Sequence, residues 1–503
     1  MKRILCLVLS LLMVISLVGC SNGDSKTEDE IEINPPTGVP IYDDSLQLEI
    51  GAYSMPAKEN YDYWDSATGT SDESKKNYAS NINEKEFEAY KDAGFTFMLT
   101  EYDADYDSSP TRNFTESDLY PVMELAEKLG IGVLVNTSTL TGLTNSGDSR
   151  LSEDTQTYLT RLVDSLKDYK CFKGFSLKDE PKIEYAPAVK AVTNFLKELK
   201  PDAMFYTSML PIYASTVSLS AQSNDTDIDA EYADYIDKYL DAINQFDYDF
   251  YPLWTENTRK VNYIDTDWYK NLEMVASKVK AKEGAKMGIT IQSGSWGKPG
   301  MQGTDTQKRT IKTKADIGFQ AYSALAYGCK TLCYFTYWLH WGGTADEVFY
   351  DAMVMPPETS GGEGVKTDCY YAVQAVNKEL QKFDHVLMSF DWQGTYAVAA
   401  GNSTKSTLLG HIADYENTRI KSVSATQETI IGCMTDANGY DGFMIVNSTE
   451  PSDCKTDEVT ITFRKATKAL CYINGEEQTI ELNEGEYTFK LAEGEGIFVI
   501  PIV

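Results

Sequence analysis

The sequence predicts an α/β chain: a (β/α)8 TIM barrel followed by a small C-terminal all-β sandwich. Three observations predict it. Strand-like and helix-like segments alternate from about residue 46 to residue 385. Eight such pairs fit that span, which is the repeat of a parallel barrel ringed by helices. From residue 386 onward the helical stripes stop, and short apolar or alternating runs follow, separated by Asn438-Gly439, Asn474-Gly475 and Glu484-Gly485 turns.

The elements follow in order. Leu46 to Tyr53 reads as the first strand. Asn83 to Glu86 forms a capping box that opens a helix, and Gly94 stops it. Phe95 to Thr100 is the second strand, rich in aromatic and β-branched residues. Leu119, Val122, Met123, Ala126 and Leu129 recur at helical spacing, with Gly130 after them. Ile131 to Asn136 is the third strand, and a helix from Ser152 to Tyr169 follows. Phe172 to Leu177 is the fourth strand, with a helix over Ala186 to Leu199. Ala203 to Ser208 is the fifth, with a helix near Ala230 to Ile243, and Tyr248 to Tyr251 the sixth, with a helix near Trp268 to Lys280. Lys286 to Gln292 is the seventh, with a helix over Thr306 to Tyr327 stopped by Gly328. Thr331 to Tyr337 is the eighth, closed by a helix over Tyr370 to Phe383. No Gly-rich dinucleotide loop follows any early strand, which argues against an open doubly wound sheet.

The N-terminus carries a different signal. Lys2 and Arg3 precede an apolar run from Ile4 to Val18, too short for an ordinary membrane span. The run ends in Leu17-Val18-Gly19-Cys20, which resembles a bacterial lipobox. That resemblance implies a signal peptide over residues 1–19, lipidation at Cys20, export, and attachment to the cell membrane or cell surface through the N-terminal lipid alone. Residues 20–45 are polar and read as a flexible tether. The expected domains are then 46–385 for the barrel and 386–503 for the sandwich.

Composition narrows the function. Hydrophobic residues make up 42% of 503, enough for large cores. The formal charge of −31 repels nucleic acid and favours neutral or cationic ligands. Aromatics reach 12%, which suits stacking on flat ligands as well as core packing. Nine Cys without a CxxC and only 3 His give no zinc pattern, and no cofactor or metal is expected.

Chemistry is sought at the C-terminal ends of the strands, where barrels place it. The fourth strand runs into Lys178-Asp179-Glu180-Pro181. This segment resembles the Asn-Glu-Pro or Asp-Glu-Pro motif of clan A glycoside hydrolases, the family 42 β-galactosidase type among them. The resemblance implies that Glu180 is the general acid/base and that Asp179 replaces a substrate-binding Asn. Asp249-Phe250-Tyr251-Pro252 resembles an Asp-x-Tyr-Pro segment of related barrels, and Tyr334 to Trp338 resembles their eighth strand end. A retaining member carries its nucleophilic Glu after the seventh strand, yet this chain has Gln292 there. The remaining candidates for a second carboxylate are Asp249 and Glu101. The expectation is therefore a glycoside hydrolase acting on an oligosaccharide or polysaccharide, with Glu180 and Asp249 catalytic. Asp179, Glu101, Tyr251, Gln292, Trp296 and Trp338 would bind substrate. The alternative is a glycan-binding lipoprotein on the same barrel that has lost catalysis. An inverting pair stands about 6.5–9.5 Å apart and a retaining pair about 5–5.5 Å.

Overall fold

The computed structural model describes residues 35–57, 63–65, 70–72, 80–100, 113–219, 227–256, 261–297, 306–339, 348–357, 362–401 and 418–503. The signal segment, Cys20 and Glu101 lie outside the described residues. Pro35 to Val503 form one compact unit. That unit takes in residues assigned above to the tether: the Tyr42 ring lies 5.6 Å from Phe390, and the Tyr440 hydroxyl donates to the carbonyls of Thr37 and Gly38 at 3.3 Å.

Eight parallel strand positions appear in the expected order. They are β1 (Glu49–Ala52), β2 (Phe97–Leu99), β3 (Gly132–Val135), β4 (Phe172–Ser176), β5 (Met204–Tyr206), β6 (Gln245–Asp249), β7 (Lys286–Gln292) and β8 (Thr331–Phe335). The short strand Ser208–Met209 continues β5 beyond Thr207. One parallel sheet runs β2-β3-β4-β5. The other runs β1-β8-β7-β6 and ends on Ser208–Met209. The sheets meet at both edges. Thr207 joins one pair of edges through the chain itself. At the other, the Thr96 N–H donates to the Ile50 carbonyl at 2.7 Å. The buried Tyr90 hydroxyl bridges the same seam, accepting from Ala52 N–H at 3.1 Å and donating to the Phe97 carbonyl at 2.8 Å.

Helices fill the connections for local reasons. The Asn83 side chain accepts from Glu86 N–H and opens α1 (Glu84–Asp92). Gly130, at φ +64, ends α2 (Leu119–Leu129), a left-handed position that a β-carbon would strain. The stripe Leu119, Val122, Met123 and Ala126 is fully buried. Each large aliphatic member stabilises the fold by about 1.5–3 kcal/mol. Ser152 caps α3 (Glu153–Leu166), and α4 (Ala186–Leu199), α5 (Ile228–Ile243) and α6 (Trp268–Lys280) follow their strands. One expectation fails here, and one helix is additional. The helix read from Thr306 begins only at Lys314, giving α7 (Lys314–Ala326), because Thr313 and Asp316 form the capping box and Thr306–Lys308 pairs as a strand with Leu253–Glu256. A short helix, Ser138–Thr144, capped by Thr137, was not anticipated.

From Phe390 the chain is antiparallel β. A six-stranded sheet and a three-stranded sheet (Ile420–Ala425, Asp457–Phe463, Glu486–Leu491) enclose a second core that includes Ile431, Phe443, Val459, Ile461, Phe489 and Val499. The fold is α/β with an antiparallel β region at its C-terminal end. The outer face of the six-stranded sheet packs on α7. A β-carbon on Gly432 would lie 2.1 Å from the Ala326 carbonyl, and one on Gly494 would lie 2.1 Å from that of Ala315. Across the same contact, the Arg309 guanidinium reaches Asp316 at 2.7 Å and Glu450 at 2.9 Å, with all three side chains nearly buried.

Backbone carbonyls cannot yield as a flexible side chain can. Gly432→Ala is therefore expected to destabilise the protein by about 1–3 kcal/mol, as overpacking does. Urea unfolding checks it: an unchanged midpoint would show that the sheet does not sit this close to α7.

Candidate active site

The residues after β4 form a turn whose backbone is pinned from several sides. The Leu177 N–H donates to the Tyr206 carbonyl at 2.9 Å, and the Glu180 N–H to the Ser208 carbonyl at 2.7 Å. From α5, the Tyr235 hydroxyl donates to the Pro181 carbonyl at 2.8 Å and the Tyr239 hydroxyl to that of Lys182 at 2.6 Å. Asn136, directly after β3, donates through Nδ2 to the carbonyls of Ser176 at 2.8 Å and Leu177 at 3.1 Å. Its Oδ1 accepts from the Thr141 hydroxyl at 3.0 Å. These bonds hold Glu180 at φ +44, a conformation that ordinary side chains avoid and that persists where surroundings over-determine it.

The turn presents two acids to a space shared with β6. Asp179 is half-buried and accepts from the Tyr53 hydroxyl at 3.3 Å, while Glu180 is exposed. Enclosure by protein raises the Asp179 carboxyl, and Lys178 and the Tyr53 hydroxyl oppose that rise. A group that is open to water yet crowded by protein atoms is one that sits in a cleft. Asp249 ends β6 and is only 5% exposed. Burial raises its carboxyl well above the usual range, and Glu180 and then Asp179 raise it further. Its Oδ1 has no hydrogen-bond partner among the described residues. Three carboxyl groups from two strand ends thus act on one another.

Aromatic side chains surround them. The Tyr251 ring lies 4.8 Å from Trp296 and 5.7 Å from Phe335, and Trp296 lies 5.6 Å from Phe349. Tyr213 is 44% exposed, and Asp249 and Glu180 both act on its hydroxyl. The Lys308 ammonium donates to the Tyr251 carbonyl at 2.6 Å and stands 3.5 Å above the centre of the Trp254 ring. Its charge partly offsets the rise at Asp249. Below this layer, Asp247 is fully buried and its Oδ2 accepts from Gln245 Nε2 at 2.7 Å. Burial pushes its carboxyl up to about 8.

The structure brings together Asp179, Glu180, Asp249, Tyr251 and Trp296 from the sequence expectation. It does not add Gln292 or Trp338. Gln292 is fully buried: its Oε1 accepts from Leu253 N–H at 3.2 Å, and its Nε2 donates to the carbonyls of Arg309 at 2.8 Å and Gly294 at 3.3 Å. That amide holds backbone and has no group left to offer a ligand. Trp338 is fully buried, and a β-carbon on Gly364 would lie 2.6 Å from its ring, so no face is open for stacking. Tyr53 and Asn136 were missed, although each stands at the C-terminal end of a readable strand. Tyr213 comes from an irregular segment and Lys308 from the strand Thr306–Lys308 that was read as helix, and neither carries a local signal. Among the described residues no group of His, Cys, Asp and Glu side chains could hold a metal ion.

No family model matches the chain, and no curated protein matches it. Solved structures similar to it include an α-amylase from Anoxybacillus, 11% identical over 91% of this chain and 98% of that one, at a TM-score of 0.45. A family 5 glycoside hydrolase from Bacteroides vulgatus is 11% identical over 90% and 89%, at 0.47. A family 27 β-L-arabinopyranosidase from Geobacillus stearothermophilus is 11% identical over 92% and 97%, at 0.45.

Asn136→Ala removes a donor from the Ser176 and Leu177 carbonyls and is expected to cost about 1–3 kcal/mol. Hydrogen exchange should rise across residues 177–180 while α2 stays protected; uniform protection would show that Asn136 does not hold the turn. Asp247 supplies a pH test. Its folded pKa of about 8 lies above its ordinary 3.8, so the folded state binds the extra proton between those values. Stability then falls as pH rises through that window, by up to about 1.4 kcal/mol per pH unit from this group. Asp247→Asn should flatten the fall in urea-derived stability; an unaltered slope would place the titration elsewhere.

Proposed function

We propose that this protein is a glycoside hydrolase, that its two parallel sheets form one closed (β/α)8 barrel, and that the cleft at their C-terminal ends is its active site. The two edge junctions at Thr207 and at Thr96–Ile50 support closure. One observation carries the activity: Asp249, buried and with an unpartnered oxygen, shares its field with the Asp179-Glu180 turn. Two sets of carboxyl groups with opposed environments are the requirement for glycosidic bond cleavage.

The environments assign the roles. Asp249 favours its protonated form because burial and two neighbouring carboxylates disfavour its anion. It donates that proton to the glycosidic oxygen as the C–O bond breaks. Glu180 is exposed and supplies, with Asp179, the opposing negative charge that stabilises the oxocarbenium-like carbon. This reverses the part that the family resemblance gives Glu180. Tyr213, with its open ring, and Tyr251 flank the sugar, and Lys308 keeps the cleft from carrying three uncompensated acids. Water then adds to the carbon, and its proton passes to the Asp249 carboxylate, which restores the acid. Attachment through a lipid on Cys20, export, and an oligosaccharide or polysaccharide substrate belong to the same proposal. So do a barrel over residues 46–385 and a sandwich over 386–503.

Aryl glycosides with graded leaving groups test the assignment. General acid catalysis is worth about 10²–10⁴-fold. Asp249→Asn should lose that factor on poor leaving groups, lose little on dinitrophenyl glycosides, and lack the alkaline limb of the pH–rate profile. Glu180→Gln should lose turnover on every substrate. An equal loss on all leaving groups for Asp249→Asn would remove it as the donor. Saturable oligosaccharide binding with no turnover of any glycoside would establish the binding-only alternative.

A further inference from the structure

A second concave site lies at the opposite end of the parallel strands, and it is basic in a chain whose net charge is −31. This cleft of about 420 Å³ lies at the C-terminal end of α6, the starts of β7 and β8, and the first strand of the β region. Lys280, Lys282, Lys286 and Lys330 line it, together with Tyr327 and Trp392; its acids are Glu283 and Asp391. We propose that it binds an oxyanion, a phosphate or carboxylate group, between Lys286 and Lys330 with Trp392 as the flat wall.

Some of the lysines are accounted for. Lys282 pairs with Asp241. Lys280 donates to the Gln393 carbonyl at 2.6 Å, with its ammonium 5.7 Å from the centre of the Trp392 ring. Lys286 makes no ion pair or side-chain hydrogen bond among the described residues. The nearby acid does not neutralise it, because Asp247 is held protonated toward pH 8 by burial. Lys330 is fixed in direction, donating to the Phe390 carbonyl at 2.5 Å and, at 3.5 Å, to those of Leu387 and Met388. Burial, opposed by Asp391 and reinforced by Lys286, lowers its ammonium to about 8. Two ammonium groups that repel one another across a cleft gain from an anion between them.

The walls are built for a fixed shape. Gly328, at φ +81, lets the Trp392 backbone and β-carbon close in: a β-carbon on residue 328 would lie 2.6 Å from that of Trp392. The Trp392 indole N–H is held by Thr395 at 2.8 Å, and its ring lies 6.1 Å from Tyr327. Tyr327, 1% exposed, has a hydroxyl with no partner among the described residues. A phosphate or carboxylate oxygen would give the Lys286 ammonium the acceptor it lacks among the described residues.

Calorimetric titration of the full chain with inorganic pyrophosphate, and separately with citrate, tests the site and tells the two anion chemistries apart. Saturable binding of one or both is expected, weakened at least about tenfold by Lys286→Glu, an exposed change that should leave the melting temperature unaltered. In parallel, acetylation near pH 8 should modify Lys330, and the bound anion should protect it while the exposed Lys190 stays reactive. Absence of saturable binding of either anion, or equal binding by Lys286→Glu, overturns the proposal. So does acetylation of Lys330 that the anion leaves unchanged.

Discussion

The hydrogen bond from the Glu180 N–H to the Ser208 carbonyl is the constraint on which the candidate site depends. It forces the chain to turn immediately after β4 instead of continuing along the sheet. A left-handed residue at 180 is unfavourable by itself, and single strained residues of this kind cost about 1–3 kcal/mol. The surroundings supply that energy through Asn136, Tyr235 and Tyr239, each of which donates to a carbonyl of the turn or its approach. None of these donors is itself an acid or a base. Their effect is positional: they fix the turn that carries Asp179 and Glu180 at the strand ends shared with Asp249.

Once aimed, the three acids modify each other. Asp249 is buried where an ionised carboxylate is poorly solvated, and its nearest charged neighbours have the same sign. Both effects point the same way and raise the Asp249 carboxyl. Lys308 tempers the repulsion without abolishing it, because its ammonium is committed to the Tyr251 carbonyl and the Trp254 ring. The difference between a buried acid and an exposed one across a small space is the physical content of the proposed chemistry. Burial, more than residue type, separates Asp249 from Glu180.

The antiparallel region bears on this site only through the frame. Gly432 in a strand and Gly494 in a turn let backbone approach the α7 backbone, and the Arg309, Asp316 and Glu450 side chains meet at the same contact. A buried ion trio contributes little net stability when its desolvation is counted, but losing one partner strands a charge. Arg309 also ties this contact to the strand ends, since its carbonyl accepts from Gln292 Nε2. Gln292 is thereby explained as a frame residue. The amide that replaces the expected glutamate holds three backbone groups, a task in which both its donor and its acceptor are used.

Periodicity and capping chemistry alone determined the order of the eight strands, most helices, and the change to antiparallel β near residue 390. These signals are local: they rest on residues within one or two turns of each other, as at Asn83, Gly130 and Ser152. The Asp179-Glu180 turn was equally legible, because a proline and two acids directly after an apolar strand are a local pattern. The late start of α7 was not, since pairing of Thr306–Lys308 with Leu253–Glu256 joins segments about fifty residues apart in sequence. Tertiary structure alone decided which polar residues face the cleft. Gln292 and Trp338 stand at strand ends as plausibly as Tyr53 does, yet neighbours from distant segments bury the first two. Tyr53 is aimed at Asp179 across more than a hundred residues of chain. Burial and charge coupling are sums over everything nearby in space, and sequence order does not contain that sum.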